Sequence, residues 1–331
     1  MLNIDSLKNK RILITGGTGT FGQAFTQYVL SKVPSCHIVI YSRDEYKQCL
    51  MKQSFSSYIQ KGSLSFVIGD IRDVTRLKCT CNNIDYIVHA AAQKQVPSCE
   101  ENVDEAIKTN IIGALNVREA AVCCGVSKVL ALSTDKAVMP VNLYGATKMV
   151  SDRVFLNTEQ NTTPVFCVVR YGNVAGSRGS VIPFFKTIYN SGVHSYPITD
   201  FRMTRFWIDI NEAVKLALKA LLCGRPGEVY VAKIPSFRIT DLVRAMDPNG
   251  EMYEAGIRQG EKLHEVMITE YDAEHTVEED DCYIIYPNVD IAIQSGKQLV
   301  QKGFIYASNL NDVWLSISDL RAMLERVNHD R

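Results

Sequence analysis

The 331-residue sequence contains no run of about 18 consecutive apolar residues, the length that crosses a bilayer as a helix. Its first stretch, residues 1–11, is polar and lacks the apolar core of a secretory signal. The formal net charge is zero, from 36 basic and 36 acidic side chains, so no overall charge attracts nucleic acid or an anionic membrane. These absences predict a cytoplasmic protein that has neither nucleic acid nor a membrane as a partner.

The spacing of metal ligands is also missing. Among the ten cysteines only Cys79 and Cys81 come close to a ligand spacing, and no second pair or nearby histidine pair completes a zinc site. His264 has no second histidine at ligand spacing, and the acidic stretch 278–281 is typical of a solvated face. We therefore expect reduced, mostly structural cysteines and no metal.

Short apolar segments alternate with longer amphipathic ones through the first half of the chain. Buried strands are predicted for residues 11–15, 37–41, 64–68, 84–89, 128–133 and 165–170. Helical patterns occupy residues 21–31, 45–60, 105–124 and 143–157. Such alternation predicts an α/β fold with a Rossmann-type doubly wound parallel sheet.

The second half of the chain departs from this rhythm. A helical pattern returns at residues 208–223, but the segments after residue 229 are short and mixed. We expect residues 1–173 to form the Rossmann-type domain, with residues 201–224 returning to it. Residues 174–200 and 225–331 are then expected to form a smaller, mixed C-terminal lobe that binds the substrate over the strand ends.

A glycine-rich turn joins the first predicted strand to the first predicted helix. Gly16, Gly19 and Gly22 recur in it at three-residue spacing. Glycine permits a tight turn and a close approach of backbone to a pyrophosphate, and the helix N-terminus offers unpaired N–H groups to that anion. The pattern predicts a dinucleotide site, and an ordinary tight turn is the alternative.

The residues after the second strand bear on which dinucleotide binds. Ser42 and Arg43 suit a ribose 2′-phosphate, because a guanidinium offers phosphate a fork of hydrogen-bond donors. NADP is therefore favoured. Asp44 keeps NAD as an alternative, because a carboxylate here can hold a free ribose 2′-hydroxyl. Asp70, after the third strand, can meet the edge of the adenine.

Tyr144 and Lys148 lie four residues apart, on one face of a predicted helix. An ammonium near a phenol lowers the phenol pKa from about 10, which would make Tyr144 an acid/base near neutral pH. The strand before this helix ends at residues 132–136, and ligands bind at strand ends in open α/β sheets. The pairing predicts an active site beside the dinucleotide.

Nine sequence strings carry a resemblance to a known family: 15–22 (TGGTGTFG), 41–45 (YSRDE), 69–73 (GDIRD), 89–92 (HAAA), 132–137 (LSTDKA), 142–148 (NLYGATK), 170–185 (RYGNVAGSRGSVIPFF), 203–208 (MTRFWI) and 260–265 (GEKLHE). The chain resembles the extended short-chain dehydrogenases/reductases. More narrowly, it resembles the inverting UDP-N-acetylglucosamine 4,6-dehydratases of bacterial pseudaminic acid biosynthesis. Residues after about 287 match no string of that family.

The resemblance implies a lyase reaction on UDP-N-acetylglucosamine that leaves a tightly held NADP unchanged. Tyr144, assisted by Lys148, would take the proton of the sugar 4-hydroxyl while hydride passes from C4 to NADP. The 4-ketone acidifies the C5 proton, a base removes it, and an acid helps the 6-hydroxyl leave as water. Hydride then returns to C6, and C5 is reprotonated with inversion.

Asp135 and Lys136, next to Thr134, stand where the additional acid and base are needed. The retaining dehydratases carry Asp-Glu at this position, so Lys136 replaces the Glu. An amine can be a base at C5 only if desolvation or cationic neighbours depress its pKa. We therefore expect a depressed pKa for Lys136, and a solvated loop pair is the alternative interpretation.

The resemblance also assigns binding residues, with Arg258 directed at the diphosphate and Gln259 replacing the usual proline of its loop. The cofactor residues are Gly16, Thr18, Gly19, Thr20, Phe21, Gly22, Ser42, Arg43, Asp44, Glu45, Tyr46, Lys47, Asp70, Ile71, Ala90, Lys94, Leu132, Ser133, Tyr144 and Lys148. The substrate residues are Lys94, Asn173, Val174, Ile182, Thr199, Arg258 and Glu261. The family further implies a homo-oligomer, either a hexamer or a dimer.

Two other functions remain open. One is a retaining 4,6-dehydratase or a UDP-sugar 4-epimerase of the same superfamily. Lys136 argues against both, and a simple epimerase needs no acid and base at C5 and C6. The other is a non-catalytic NADP-binding regulator, against which the complete set of Asp135, Lys136, Tyr144 and Lys148 argues.

Overall fold

The computed structural model describes residues 3–157, 163–174, 181–258 and 260–329. The strands are β1 (Arg11–Thr15), β2 (His37–Ser42), β3 (Leu64–Ile68), β4 (Tyr86–His89), β5 (Lys128–Thr134), β6 (Val165–Tyr171), β7 (Asn173–Val174), β8 (Ser195–Ile198), β9 (Thr204–Ile208), β10 (Val229–Ala232), β11 (Ser236–Arg238), β12 (Glu251–Glu254), β13 (Val266–Ile268), β14 (Thr276–Glu278), β15 (Cys282–Ile285) and β16 (Tyr306–Ala307).

The α-helices are α1 (Thr20–Lys32), α2 (Glu45–Ser54), α3 (Ser56–Gln60), α4 (Val74–Cys81), α5 (Val96–Glu101), α6 (Val103–Ile107), α7 (Gly113–Cys123), α8 (Leu143–Leu156), α9 (Val181–Asn190), α10 (Ile210–Cys223), α11 (Ile239–Met246), α12 (Glu270–Ala273), α13 (Val289–Gln294) and α14 (Ile317–His329). Short 3₁₀ turns occupy Ile4–Leu7 and Asp135–Ala137, and a π-helical turn, Lys108–Ile112, joins α6 to α7.

Within the described residues, the central sheet has nine strands in the order β14-β15-β10-β6-β5-β4-β1-β2-β3. The seven from β10 to β3 are parallel, and β15 and β14 add an antiparallel edge. Ile12, Leu13 and Ile14 of β1 are all fully buried, as expected for a parallel sheet covered on both faces. The predicted Rossmann-type sheet, with its six strands in the first half, is confirmed.

The C-terminal half differs from the predicted division into domains in two respects, and the first concerns the edge of the central sheet. Residues 225–331 were expected in the substrate lobe, but β10 pairs with β6, and β15 and β14 follow it at the edge of the central sheet. Every residue of β10 is buried. A four-residue apolar segment is too short to reveal its partner by periodicity, so its neighbour in the sheet could not be predicted.

The smaller lobe is built from short pieces around its own apolar cluster. Its strands form a three-stranded sheet (β11-β9-β7) and a two-stranded one (β12-β8). Phe185, Tyr196, Trp207 and Leu320 lie in this cluster, apart from the core beneath the central sheet. Helix α10 packs on α1 and on the central sheet. The second difference is β9, which lies in the segment 201–224 that was predicted to return to the Rossmann-type domain but pairs with β11 and β7 of the lobe. No helix in the described part of the chain is long and apolar enough to span a membrane.

Candidate active site

A cleft of about 1130 Å³ opens where the parallel strands end. Its floor includes residues that follow β1, β2, β4 and β5, and its far wall comes from the lobe. Ligands bind at this edge of an open α/β sheet because the strand ends and helix N-termini converge there. The cleft is therefore the candidate active site.

The phosphate loop, residues 16–22, lines the cleft, and its glycines allow a close approach of backbone to backbone. Gly16 has φ +67°, and a Cβ there would lie 2.8 Å from the Ala91 backbone. A Cβ on Gly22 would lie 2.4 Å from the Gly17 carbonyl oxygen. Gly19 precedes α1 and supplies no capping side chain, so the first amides of this helix remain for an anion. This geometry fits a dinucleotide pyrophosphate.

The residues that follow β2 and β3 bring side chains of opposite charge to the cleft. The Arg43 guanidinium lies 3.8 Å from Asp70, which also accepts hydrogen bonds from Arg72. Although burial opposes it, Arg72 and Arg43 hold the pKa of Asp70 below its ordinary value. The Asp44 carboxylate accepts the Lys47 backbone N–H as the cap of α2 and pairs with the Lys47 ammonium at 2.6 Å. Asp44 is thus already engaged, whereas the Arg43 side chain is 62% exposed.

Tyr144 and Lys148 share the buried face of α8 that lines the cleft. Asn142 caps this helix by accepting the Gly145 backbone N–H at 2.7 Å. A Cβ on Gly145 would lie 2.2 Å from the Lys136 carbonyl oxygen, so this glycine lets α8 pack directly on the 3₁₀ turn. Asn142 and Gly145 together bring Tyr144 beside residues 134–136.

The electrostatics of this pair differ from the prediction. Burial raises the pKa of Tyr144 to about 12, and the opposing influences are the Lys136 charge and a Thr134 hydrogen bond rather than Lys148. Burial lowers the pKa of Lys148, against the attraction of Asp152. Because this face of α8 is buried, the charged phenolate form of Tyr144 is disfavoured more strongly than the sequence pattern predicted.

Asp152 is a buried residue of the site that the sequence analysis did not single out. It lies one helical turn beyond Lys148 and accepts a 2.5 Å hydrogen bond from the Ser133 hydroxyl. Burial raises its pKa, against the charges of Lys148 and Arg170. The spacing of residues 144, 148 and 152 on one helix face was a signal that could have revealed it.

Lys136 lines the cleft and lies in a cluster of charged side chains. We call Asp135, Lys136, Arg205, Lys262 and Glu265 the Lys136 cluster. The Lys136 ammonium is 3.1 Å from Asp135 Oδ1 and 3.3 Å from Glu265 Oε1, and it donates to Asn173 Oδ1 at 3.1 Å. Thr134 donates to the same Asp135 oxygen at 2.9 Å.

The expectation of a depressed pKa for Lys136 is wrong for this structure. Burial disfavours the ammonium, but Asp135 and Glu265 outweigh burial and raise the pKa above its ordinary value. Burial likewise raises the pKa of Asp135, against the charge of Lys136. Lys136 is therefore held as a cation, and Asp135 is the carboxylate of the cluster that takes up a proton more readily.

Glu265, Arg205 and Lys262 line the cleft but were not predicted as site residues. They occur in the strings 203–208 and 260–265, which carried the family resemblance without a role for these side chains. Burial opposes ionisation of Glu265, but Lys136, Arg205 and Lys262 hold its pKa below the ordinary value. Only the fold brings these charges next to Lys136.

Most predicted site residues line the cleft, and four do not. Glu45 and Tyr46 lie outside it, Asp135 lies fully buried behind Lys136, and Ile182 packs in the apolar cluster of the lobe. Gln259 lies outside the described residues. The predicted residues that line the cleft are Gly16, Thr18, Gly19, Thr20, Phe21, Gly22, Ser42, Arg43, Asp44, Lys47, Asp70, Ile71, Ala90, Lys94, Leu132, Ser133, Thr134, Lys136, Tyr144, Lys148, Asn173, Val174, Thr199, Arg258 and Glu261.

The acidic stretch 278–281 is more engaged than a solvated face. Glu279, Asp281 and Cys282 bring their ligand atoms within 4.8 Å of one another. The Lys219 ammonium already lies 2.6 Å from Glu279 and 2.5 Å from Asp281. The Lys219 ammonium therefore supplies the positive charge that a metal ion would provide between these side chains. All ten cysteines are free thiols in this structure.

A Rossmann-type sheet whose cleft combines a glycine phosphate loop with a Tyr–Lys helix defines an extended short-chain dehydrogenase/reductase. The chain belongs to the polysaccharide biosynthesis protein family, whose sequence profile matches residues 12–287. It is 46% identical over 333 residues to a UDP-N-acetylglucosamine 4,6-dehydratase (inverting) of Campylobacter jejuni, covering 97% of this chain and 98% of that one. The predicted resemblance, and with it the expectation of an enzyme, is confirmed.

Two further similarities frame the specificity. A UDP-glucose 4-epimerase of Rickettsia canadensis is 39% identical over 291 residues, covering 84% of this chain and 83% of that one. The X-ray structure of Pen from Bacillus thuringiensis superposes with a TM-score of 0.87 at 33% identity, covering 97% of this chain and 98% of that one. The fold is thus shared almost end to end with Pen.

Proposed function

We propose that the chain is an NADP-dependent UDP-N-acetylglucosamine 4,6-dehydratase that inverts C5. Its product would be UDP-2-acetamido-2,6-dideoxy-β-L-arabino-hexos-4-ulose, at the first step of pseudaminic acid or related surface-sugar biosynthesis. The observation that carries the proposal is the contact of Lys136 with Asp135 at 3.1 Å, beside Tyr144. Elimination across C5 and C6 needs this second acid and base, and oxidation at C4 alone does not.

The phosphate loop would hold the NADP pyrophosphate on the first amides of α1. Arg43 would pair with the 2′-phosphate, and the prior engagement of Asp44 with Lys47 supports NADP over NAD. When bound, the nicotinamide supplies a hydride acceptor for C4 and a hydride donor for C6. Lys148, Ala90, Leu132 and Ser133 line the cleft along the remainder of this site.

Tyr144 would take the proton of the sugar 4-hydroxyl, and its hydrogen bond with Thr134 links it to Asp135. Asp135, which reaches the cleft only through Thr134 and Lys136, would supply the proton for the leaving 6-hydroxyl by way of these residues, because burial favours its neutral form. Lys136 would take the C5 proton. Moving one proton from the Lys136 ammonium to Asp135, 3.1 Å away, creates a neutral amine and a neutral carboxylic acid together.

Arg258 and Glu261, 4.0 Å apart at the mouth of the cleft, would face the UDP group with Asn173 and Thr199. A guanidinium fork suits the diphosphate. We also propose that the enzyme acts in the cytoplasm as a homo-oligomer, a hexamer or a dimer, as the family resemblance implies.

A UDP-sugar 4-epimerase is the second candidate, because the Rickettsia canadensis relative carries that name. An epimerase returns hydride to C4 and needs no proton transfer at C5 or C6. The charged groups around Lys136 would then have no chemical step to serve.

The test is incubation of the purified protein with UDP-N-acetylglucosamine in D₂O, without added cofactor. The proposal expects a 4-keto product lighter by one water, with deuterium at an inverted C5. An isobaric C4 epimer would instead identify the epimerase, and a product with retained C5 would identify a retaining dehydratase. Unchanged substrate would favour the non-catalytic regulator. Mass spectrometry of the acid-released dinucleotide would distinguish NADP from NAD.

A further inference from the structure

Glu265 is a buried carboxylate that takes no part in the steps described above. The residue is only 2% exposed, yet it lines the cleft. Its Oε1 lies 3.3 Å from the Lys136 ammonium, and its Oε2 has no hydrogen-bond partner within the described residues. Burying a carboxylate costs free energy unless its charge is paired with neighbouring groups.

The groups facing Lys136 come from several elements of the fold. The titratable or charged ones are Asp135, Tyr144, Arg205, Lys262 and Glu265, and the neutral Asn173 accepts a hydrogen bond. Arg205 Nε and the Lys262 ammonium lie 3.6 and 3.9 Å from Glu265. Glu265 thus has three cations around it, whereas the ion pair of Asp135 is with Lys136. These surroundings favour the ionised form of Glu265 and the neutral form of Asp135.

We propose that Glu265 is a positioning residue that sets the charge of Lys136: it holds the ammonium in the resting state, and Asp135 receives the proton when the amine is freed. The use of the freed amine at C5 rests on the proposed function; the control of its charge does not. In the exchange an N–H bond of Lys136 breaks and an O–H bond of Asp135 forms. The net charge of the cluster is unchanged, so no outside proton donor is needed.

The inference predicts opposite effects for two neighbouring residues. Glu265→Gln keeps the shape and removes the anion, so Lys136 should lose its proton at lower pH. Lys262→Gln removes a competing cation, so Lys136 should lose its proton at higher pH. A charge within about 4–6 Å shifts a pKa by about one unit or more. A purely structural role of Glu265 would not produce shifts of opposite sign.

The experiment measures the acetylation rate of Lys136 by acetic anhydride at about pH 9, followed by peptide mass spectrometry. The exposed Lys61 of the same chain is the internal reference. Only the neutral amine reacts, so one unit of pKa changes the rate tenfold. We expect Lys136 to react about tenfold faster in Glu265→Gln and severalfold slower in Lys262→Gln. In variants that turn over, the acidic limb of the kcat profile should move in the same directions.

Equal labelling rates in the wild type and both folded variants would overturn the inference. If Glu265→Gln fails to fold, Glu265→Asp is labelled instead: its shorter side chain withdraws the carboxylate from Lys136, so faster labelling than in the wild type supports the inference and an unchanged rate refutes it. Labelling requires no turnover. Shifted labelling without dehydration of UDP-N-acetylglucosamine would therefore refute the proposed function and leave the role of Glu265 standing.

Discussion

The phosphate loop and the Lys136 cluster belong to one candidate active site, but they are built in different ways. The phosphate loop uses seven consecutive residues and has no room for a side chain at Gly22, where a Cβ would lie 2.4 Å from backbone. The Lys136 cluster draws charged side chains from residues 135–136, from β9 and from residues 262–265. The phosphate loop depends on the absence of Cβ atoms at its glycines, and the Lys136 cluster depends on a balance of positive and negative charges. Substitutions in the phosphate loop should therefore lower dinucleotide binding, whereas substitutions in the Lys136 cluster should lower turnover.

The largest effect is expected from Lys136→Ala. Removing the base should lower turnover by roughly 10²–10⁴-fold, the usual contribution of general acid–base catalysis. Dinucleotide affinity should stay unchanged because the phosphate loop is a separate structure. Turnover by product formation and dinucleotide binding by fluorescence measure the two effects, with Lys61→Ala as the surface control. Wild-type turnover in Lys136→Ala would exclude Lys136 as the base.

Gly22→Ala should show the reverse pattern. Its Cβ would meet the Gly17 carbonyl oxygen at 2.4 Å, so the backbone of the loop must shift. We expect a loss of stability of about 1–3 kcal/mol, typical of overpacking, and a marked loss of dinucleotide binding. Urea unfolding and binding titration measure both.

Gly62→Ala is the matched control for Gly22→Ala. Gly62 has φ +72°, a backbone conformation that favours glycine, but a Cβ there would meet no atom of the described residues within 4 Å. It should lose only about 1 kcal/mol, from left-handed backbone strain, and should bind the dinucleotide normally. Equal binding by Gly22→Ala and Gly62→Ala would contradict a loop that has no room for a side chain at Gly22.

The same contrast explains what the sequence could reveal. The sheet and the phosphate loop follow from patterns within about thirty residues, a length that one βαβ unit spans. The Tyr144–Lys148 pair also needed only one helix. Glu265 and Arg205 could not be assigned roles, because the fold alone brings them to Lys136. The two pKa expectations failed for that reason: burial of Tyr144 and the carboxylate near Lys136 are products of packing.

The pH dependence of folding stability tests how burial affects a titratable side chain of the cleft. His89 is buried at the end of β4, with Nδ1 2.8 Å from the Thr15 hydroxyl. Burial, with the charge of Lys148 adding to it, lowers the pKa of His89 to about 3. The unfolded chain binds this proton near pH 6.5, so the contribution to stability is complete above that pH and is lost progressively toward pH 3.

Between pH 7 and pH 5 the His89 contribution should fall by about 2 kcal/mol, from 1.36 kcal/mol per pKa unit. Urea unfolding gives the free energy of unfolding of the wild type and of His89→Gln at both pH values. The change between pH 7 and pH 5 in the wild type, minus the same change in the variant, is the contribution of His89. The variant should be less sensitive to acid, even if it is less stable at pH 7. An identical loss in both proteins would mean that His89 is not held neutral in the folded chain.

The smallest expected effect concerns Arg43, an exposed side chain that lines the cleft. Its guanidinium lies 3.8 Å from Asp70 and is 62% exposed, so solvent and salt screen its charge. Arg43→Ala should weaken NADP binding by about tenfold and leave NAD binding nearly unchanged, because only NADP carries the 2′-phosphate. The difference should shrink as ionic strength rises. Arg76→Ala, a nearby arginine that does not line the cleft, is the control and should leave both affinities as they are. Equal losses of NADP and NAD binding in Arg43→Ala would show that Arg43 supports the loop rather than reading the phosphate, and the choice between the two dinucleotides would then lie with Ser42 and Lys47.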